Sequence, residues 1–306
     1  MPKALELFAG LEGWTSAREE FPDWEFVTTD FDEKFPVTFH ADIFDLTAEG
    51  LMEEYGYFDL ILASPPCEKF SVSALSKYWW VVDDCSNCGA PVRLTKRTHG
   101  KGSTTTWHHV MADNDDTCPG GPQSTVKQEP RIEPKNDAAR YYARMVEHTM
   151  DIIRGLDPKF WVMENPSGMM KRLPVLAEDP SIERREISYC RYGMTYMKPT
   201  TLWGGFPPSL ELHPVCKTRP NKNNPLQGQE VVEPETGWIF ITDEYGDPCH
   251  EKAQRGARTG IQRITSYAEK SLVPTDLSRA VLGAADRDLR PRKRFTRRPF
   301  KGLQSV

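Results

Sequence analysis

No apolar run in these 306 residues approaches the roughly eighteen residues of a membrane-spanning helix, so a helical membrane anchor is excluded. A mean hydropathy of -0.58 with 27% charged residues fits a soluble protein. The opening stretch MPKALELFAG lacks the layout of a signal peptide, since it carries one lysine and Glu6 interrupts its apolar residues. An even set of cysteines is missing too. Seven cysteines cannot all pair, which argues for a reducing, cytoplasmic setting with thiols in catalytic or metal-binding roles. No internal repeat is present. The length suits one main domain carrying insertions.

The formal net charge of -5 shows no overall basic excess, but the charge is segregated. Residues 1–66 hold fifteen acidic residues against Lys3, Arg18 and Lys34. RDLRPRKRFTRRPFK, at 287–301, holds eight basic residues against Asp288, with Phe295 and Phe300 among them. Such a block reads either as a phosphate-contacting tail or as a solvated terminus. An acidic total therefore does not exclude a nucleic-acid partner.

ALELF, at 4–8, reads as a strand running into Ala9, Gly10 and Gly13, with a helix expected over 14–20. EFVTTD (25–30) and HADIFD (40–45) close further elements. FDLILA (58–63) is a continuous apolar run, as in a strand buried on both faces. From Asp137, an N-cap candidate, Tyr142, Val146, Thr149, Ile153 and Leu156 repeat at helical spacing until Gly155 and Pro158 end the pattern. KFWVM (159–163) is another buried strand. Alternating strands and helices predict a parallel, doubly wound α/β sheet with its ligands at the C-terminal strand ends. Phe8, Asp30, Asp42, Cys67 and Glu164 all fall at such ends. Residues 80–136 and 204–255 break the alternation and read as insertions over the active face.

LILASPPCEKFSV runs a strand into Pro65 and Pro66, which remove two backbone donors and stiffen the turn that presents Cys67. LFAGLEGW is a Gly-rich turn that lets a backbone approach a cofactor closely, although such turns are often purely structural. Asp30 is placed to accept from ribose hydroxyls and Asp42 from an exocyclic amine; singly, each reads more readily as a surface acid, and the two together in this order point to ligands. In FWVMENPSG, Glu164 leaves a buried strand, as a solvated strand end or as an acid able to share a proton with a substrate nitrogen.

LELFAGLEGW, TTDFDEKF, ADIFDL, ASPPC and MENPSG, in this order and spacing, resemble the motifs of DNA cytosine methyltransferases that modify carbon 5, above all compact versions such as those encoded by bacteriophages. The resemblance covers about residues 4–73 and 137–203, and 255–277 is similar to the C-terminal segment of phage-type enzymes. It implies a Rossmann-like, mostly parallel sheet of the S-adenosylmethionine-dependent methyltransferase fold. The parts would be a catalytic domain split into 1–79 and 137–203, an insertion at 80–136, a small target-recognition region at 204–255, a packing segment at 256–285 and a basic tail at 286–306. Cys67 would attack carbon 6 of a flipped-out cytosine while Glu164 contacts the ring. Phe8, Ala9, Gly10, Gly13, Trp14, Asp30, Phe31, Asp42, Ile43 and Pro65 would hold S-adenosylmethionine. Amino-methylating DNA enzymes place an aromatic where Cys67 stands. Glu12 departs from the family's usual glycine. In SYCRYGMTYMKPTTLWG the family's arginine places fall near Lys198 and Thr200, leaving Lys198 and Arg191 as candidates to contact the base. Double-stranded DNA is the implied partner, tRNA the close rival, and a monomer without membrane attachment the expected state. Protection of phage DNA against restriction is the biological role this resemblance suggests. A non-catalytic zinc-containing DNA-binding protein on the same scaffold is the rival from another class.

CSNCGAPVRL has the CxxC spacing of a zinc knuckle, and WHHVMADNDDTC supplies further ligands. Cys85, Cys88, His109 and Cys118 are the expected zinc set, with His108 or His99 able to substitute and loose thiols in a loop as the bland reading. A sparser set, His213, Cys216, Cys249 and His250, reads equally as a second metal site or as chance surface clusters.

Overall fold

The computed structural model describes residues 1–71, 74–99, 102–109, 118, 131–252 and 272–290. Its centre is a seven-stranded sheet in the order β10-β11-β9-β4-β1-β2-β3. The strands are β1 (Lys3–Leu7), β2 (Glu25–Asp30), β3 (Phe39–His40), β4 (Leu60–Ala63), β9 (Phe160–Pro166), β10 (Glu183–Ser188) and β11 (Pro199–Gly205). β1 pairs in parallel with β2 and β4, β2 with β3, and β4 with β9. β11 alone is reversed, antiparallel to both β9 and β10. This is the mostly parallel, doubly wound sheet of the S-adenosylmethionine-dependent methyltransferase fold.

Alternation along the central strands builds two cores. Leu5, Leu7, Ile61, Ala63 and Met163 face the helices Ala48–Tyr55 and Asp137–Leu156. Ala4, Leu60, Leu62, Val162 and Leu202 face Trp14, Trp24 and the helix Thr275–Leu289. Because both faces are covered, the strands read as unbroken apolar runs, and each buried Leu or Ile contributes about 1.5–3 kcal/mol.

Three local expectations change. No α-helix spans 14–20; the backbone bonds there run over three residues, as from the Arg18 amide to the Thr15 carbonyl, and only Arg18–Glu20 form a 3-10 turn, while the Glu6 carboxylate accepts from the Trp14 and Thr15 amides. Asn136, not Asp137, caps the long helix, its side chain accepting from the Ala139 amide at 3.0 Å. Gly155 lies inside that helix rather than ending it. A Cβ there would meet the Ala48 Cβ at 2.6 Å, so it is the point where the two helices touch.

Residues 80–136 carry more order than their composition predicts. β5 (Trp79–Asp84), β6 (Pro91–His99), β7 (Gly102–His109) and β8 (Arg131–Pro134) form an antiparallel sheet in the order β7-β6-β5-β8. Within 204–252, β12 (Glu230–Val232), β13 (Ile239–Thr242) and β14 (Pro248–Glu251) form a third sheet. Residues 255–271 of the C-terminal resemblance segment and 291–306 of the basic tail lie outside the described residues, as does the side chain of His99. No described helix is long and apolar enough to cross a membrane.

Candidate active site

A cleft of about 300 Å³ opens at the C-terminal edge of β1, β2 and β3, lined by Phe8, Asp30, Phe31, Asp42 and Ile43, with Pro66 and Glu68 from the loop after β4 and Tyr141, Tyr142 and Met145 from the long helix. Its size suits a small organic ligand. Phe8 also lines a second hollow of about 100 Å³ with Glu6, Ala9, Gly10, Gly13, Ser64 and Val273. Gly13 has no room for a side chain, since a Cβ would lie 2.8 Å from the Val273 nitrogen. Asp30 braces this wall, one carboxylate oxygen accepting from the Gly10 amide and the other from the Asp32 amide, both at 3.0 Å. Exposed Asp42 spends one oxygen on the Phe44 amide. Trp14 is buried behind the hollow, its indole donating to Ser64 Oγ at 3.0 Å. Pro65 is buried and lines neither space, and its carbonyl accepts from Asn165 Nδ2 at 2.8 Å.

Two non-glycine residues in this turn hold the left-handed conformation, Phe8 at φ 58° and Glu12 at φ 56°. Such a backbone costs about 1–3 kcal/mol and persists only where its surroundings hold it. Glu12 is held by Arg18 at 2.9 Å and by the Thr28 hydroxyl at 3.2 Å. It therefore takes the glycine-like backbone that its position demands and fixes it through its side chain.

Glu6 was not singled out as a site residue in sequence, where it only interrupts an apolar strand. It is 2% exposed and accepts from the Trp14 amide, the Thr15 amide and the Thr15 hydroxyl. Burial pushes its carboxyl from 4.5 up to about 7, against the lowering pull of those donors. The folded chain thus holds this proton more tightly than the unfolded one. Its stabilising contribution is complete below 4.5 and is lost as pH rises through about 7. The loss approaches about 3 kcal/mol. Urea midpoints of wild type and Glu6→Gln, compared from about pH 4.5 to 8, check this: the wild type should lose stability relative to the variant across that window. Parallel pH profiles would remove Glu6 as the cause.

The second half of the site is built by β4, β9 and β11. Asn165 ties the Pro65 carbonyl, and the Met169 amide donates to the Phe70 carbonyl at 2.7 Å, so the loops after β4 and β9 are pinned together. Cys67 is partly buried in the first of these loops. Burial pushes its thiol above the usual range; the Lys198 charge pulls it down and the Glu164 charge pushes it up. Glu164, 3% exposed, accepts from the Tyr189 hydroxyl at 2.7 Å and lies 3.6 Å from Lys198 Nζ. The ammonium also stands 4.3 Å from the Tyr189 ring centroid. Burial raises the Tyr189 phenol well above its ordinary range, so it remains a donor. Thr200, fully buried, donates to the Lys198 carbonyl. Cys67, Glu164 and Lys198 therefore converge. Arg191, the other candidate, instead pairs with Asp243 at 2.5 Å and Glu244 at 2.8 Å. Tyr189 gave no sequence signal, because only the pairing of β11 with β9 brings its strand connection to Glu164.

Two further clusters lie outside this site. Cys85, Cys88, His109 and Cys118 place one ligand atom each within 4.8 Å of one another, the expected set. Cys85 and Cys118 sulfurs are 3.6 Å apart, and Cys88 Sγ is 3.2 Å from His109 Nε2. The second cluster is Cys190, Cys216, Cys249 and His250. His213 is not in it: its ring packs edge-on against Tyr192, and Cys190, invisible to spacing, takes the place.

No protein-family model matches the chain, and no curated protein matches it in sequence. Among solved structures it is similar to a protein described as a DNA modification methyltransferase encoded within an E. coli prophage, at 15% identity and a TM-score of 0.36, covering 67% of this chain and 46% of that one. A methyltransferase of Entamoeba histolytica is 13% identical with a TM-score of 0.46, over 95% of this chain and 99% of its own. The S. pombe Dnmt2 methyltransferase is 10% identical with a TM-score of 0.37, over 67% and 49%. The chain spans about half the length of the first and third. At these identities and scores the likeness carries no argument about residues or substrates.

Proposed function

We propose that this chain transfers a methyl group from S-adenosylmethionine to carbon 5 of a cytosine flipped out of duplex DNA, with Cys67 as the nucleophile. The observation that carries the reading is the convergence of a stiffly presented thiol with a buried carboxylate and a buried ammonium, Glu164 and Lys198. Neither buried charge is needed for binding alone, and a lone structural thiol needs no such partners. The adjoining spaces fit the cofactor by their donors: Asp30 and Asp42 offer carboxylate oxygens to a ribose and an amine, Phe8 an aromatic face, and the Gly10–Gly13 turn a close backbone wall. When bound there, S-adenosylmethionine supplies an electrophilic methyl group.

Carbon 5 of cytosine is too poor a nucleophile to take that methyl directly. Addition of the Cys67 thiolate to carbon 6, as ring nitrogen 3 takes a proton held by Glu164, makes carbon 5 enamine-like. Loss of the carbon 5 proton to solvent, expulsion of Cys67 and return of the nitrogen 3 proton to Glu164 restore the neutral aromatic ring. The protein's share is control of charge. When Glu164 takes up a proton from solvent to hydrogen-bond ring nitrogen 3, the negative charge that raises the thiol is gone and Lys198 favours thiolate, the thiol proton leaving to solvent, so Cys67 is activated when a base is in place.

We read Cys85, Cys88, His109 and Cys118 as a structural zinc site. A sulfur–sulfur separation of 3.6 Å fits the edge of about 3.8 Å that Zn–S bonds of about 2.3 Å impose on a tetrahedron. Incorporation of labelled methyl into duplex DNA and into tRNA, side by side, tests the function. Transfer to DNA is the expected result. Transfer to tRNA alone keeps the chemistry and moves the substrate, and transfer to neither hands the fold to the binding-protein reading.

A further inference from the structure

Six of the seven cysteines fall into two groups of three, each completed by one histidine, and Cys67 alone stands apart. We propose that Cys190, Cys216, Cys249 and His250 form a second tetrahedral zinc centre, one that clamps the β12–β14 sheet onto the strand connection carrying Tyr189. The four residues come from three separate segments: the turn Tyr189–Tyr192 after β10, the loop that follows β11, and β14. Cys249 Sγ lies 2.7 Å from Cys216 Sγ and 3.3 Å from Cys190 Sγ, and every pair of ligand atoms is within 4.8 Å. Both sulfur separations are shorter than the tetrahedral edge of about 3.8 Å expected around zinc, so the side chains are close enough to share one ion and would spread slightly to take it.

The backbone is arranged for it. Consecutive residues of a strand point to opposite faces, so Cys249 and His250 would not ordinarily serve one centre. In β14 the register shifts: His250 pairs with Ile241 and Pro248 with Thr242, leaving Cys249 as the extra residue of a bulge. A bulge re-aims side chains in this way. His250 Nδ1 is buried without a hydrogen-bond partner among the described residues. A disulfide between Cys216 and Cys249 would engage two sulfurs and leave the approach of Cys190 and His250 unexplained. Thiolate and imidazole donors with no oxygen ligand select zinc among the common divalent ions.

Around the cluster the same two parts are held by Arg191 on Asp243 and Glu244, and by the Glu251 amide on the Thr195 carbonyl at 2.7 Å. Tyr189 adjoins Cys190 and donates to Glu164, so the clamp also positions the carboxylate. The zinc inference itself does not depend on the proposed chemistry.

Metal analysis of protein purified anaerobically tests it. Wild type should hold about two zinc ions per chain, Cys249→Ser and Cys118→Ser about one each, and the double variant none. His250→Cys, which keeps four soft ligands, should retain both. If Cys249→Ser fails to fold, cobalt(II) titration of wild type decides, since visible absorption of thiolate-bound tetrahedral cobalt should grow until about two equivalents are bound. One zinc per chain that survives Cys249→Ser, a cobalt endpoint of one, or a Cys216–Cys249 disulfide found by mass spectrometry under these conditions overturns the proposal.

Discussion

With Cys67 replaced by serine, methyl transfer is expected to fall by at least about 10³-fold while S-adenosylmethionine still binds. Serine is nearly isosteric, Cys67 is only partly buried, and it lines neither space assigned to the cofactor, so fold and cofactor affinity should survive. The sharper readout is a complex that resists denaturant, formed on duplex DNA containing 5-fluorocytosine with the cofactor present. Fluorine cannot leave as a cation, so the wild-type protein should remain linked to the base through Cys67 and the variant should not. Sequencing the trapped DNA would identify the target. Trapping by the serine variant would remove Cys67 from its role, and a wild type that binds yet traps on neither DNA nor tRNA would remove the chemistry.

Glu164→Gln should lower the methylation rate by about 10²- to 10⁴-fold, the range expected on losing a positioned proton donor. A loss of activity alone would not separate this role from a structural one, because Glu164 is buried against Tyr189 and Lys198. The state of Cys67 does separate them. Glu164 raises the thiol and Lys198 lowers it. Removing the carboxylate charge should shift the titration of Cys67 down and speed its alkylation by iodoacetamide near neutral pH, even as methylation collapses. Lys198→Met should shift it up and slow alkylation. If both substitutions leave the alkylation profile of Cys67 unmoved, the three groups are not electrostatically linked and the proposed activation on base binding fails.

The central strands were legible because burial on both faces leaves an unbroken apolar run: EFVTTD is β2 residue for residue, and FDLILA contains β4. The convergence of Cys67, Glu164 and Lys198 could be anticipated because a parallel sheet collects its strand ends on one edge. The reversal of β11 completes it, by starting that strand where the others finish. What stayed hidden depends on contacts between distant segments. Glu6 looked like a break in a strand and proved to organise the turn beyond it. Glu12 looked like a departure, but its left-handed backbone could not be read from residue type. Cys190 shares no motif spacing with Cys216 or Cys249, and the bulge that turns Cys249 beside His250 exists only in the pairing of β13 with β14. Composition also hid the sheet in 80–136, because PVRLTKRTH and GSTTTWHH hold few apolar residues to mark them as strands.

The interior of that insertion has a further consequence. Among the described residues, and apart from the strands packed on the main body, its own buried cluster consists of Cys85, Val92 and Cys118. A module with so small an interior has few positions where packing dictates the residue. With zinc bound as proposed, four ligands and a glycine turn would hold its shape while other side chains drift, so the surface it presents could be rewritten without re-solving the fold. The central sheet has the opposite character, since a single altered methyl group in Leu5 or Ile61 is felt across a packed layer. Change in what this protein recognises is therefore expected to accumulate in its insertions, and its chemistry to stay fixed on the sheet.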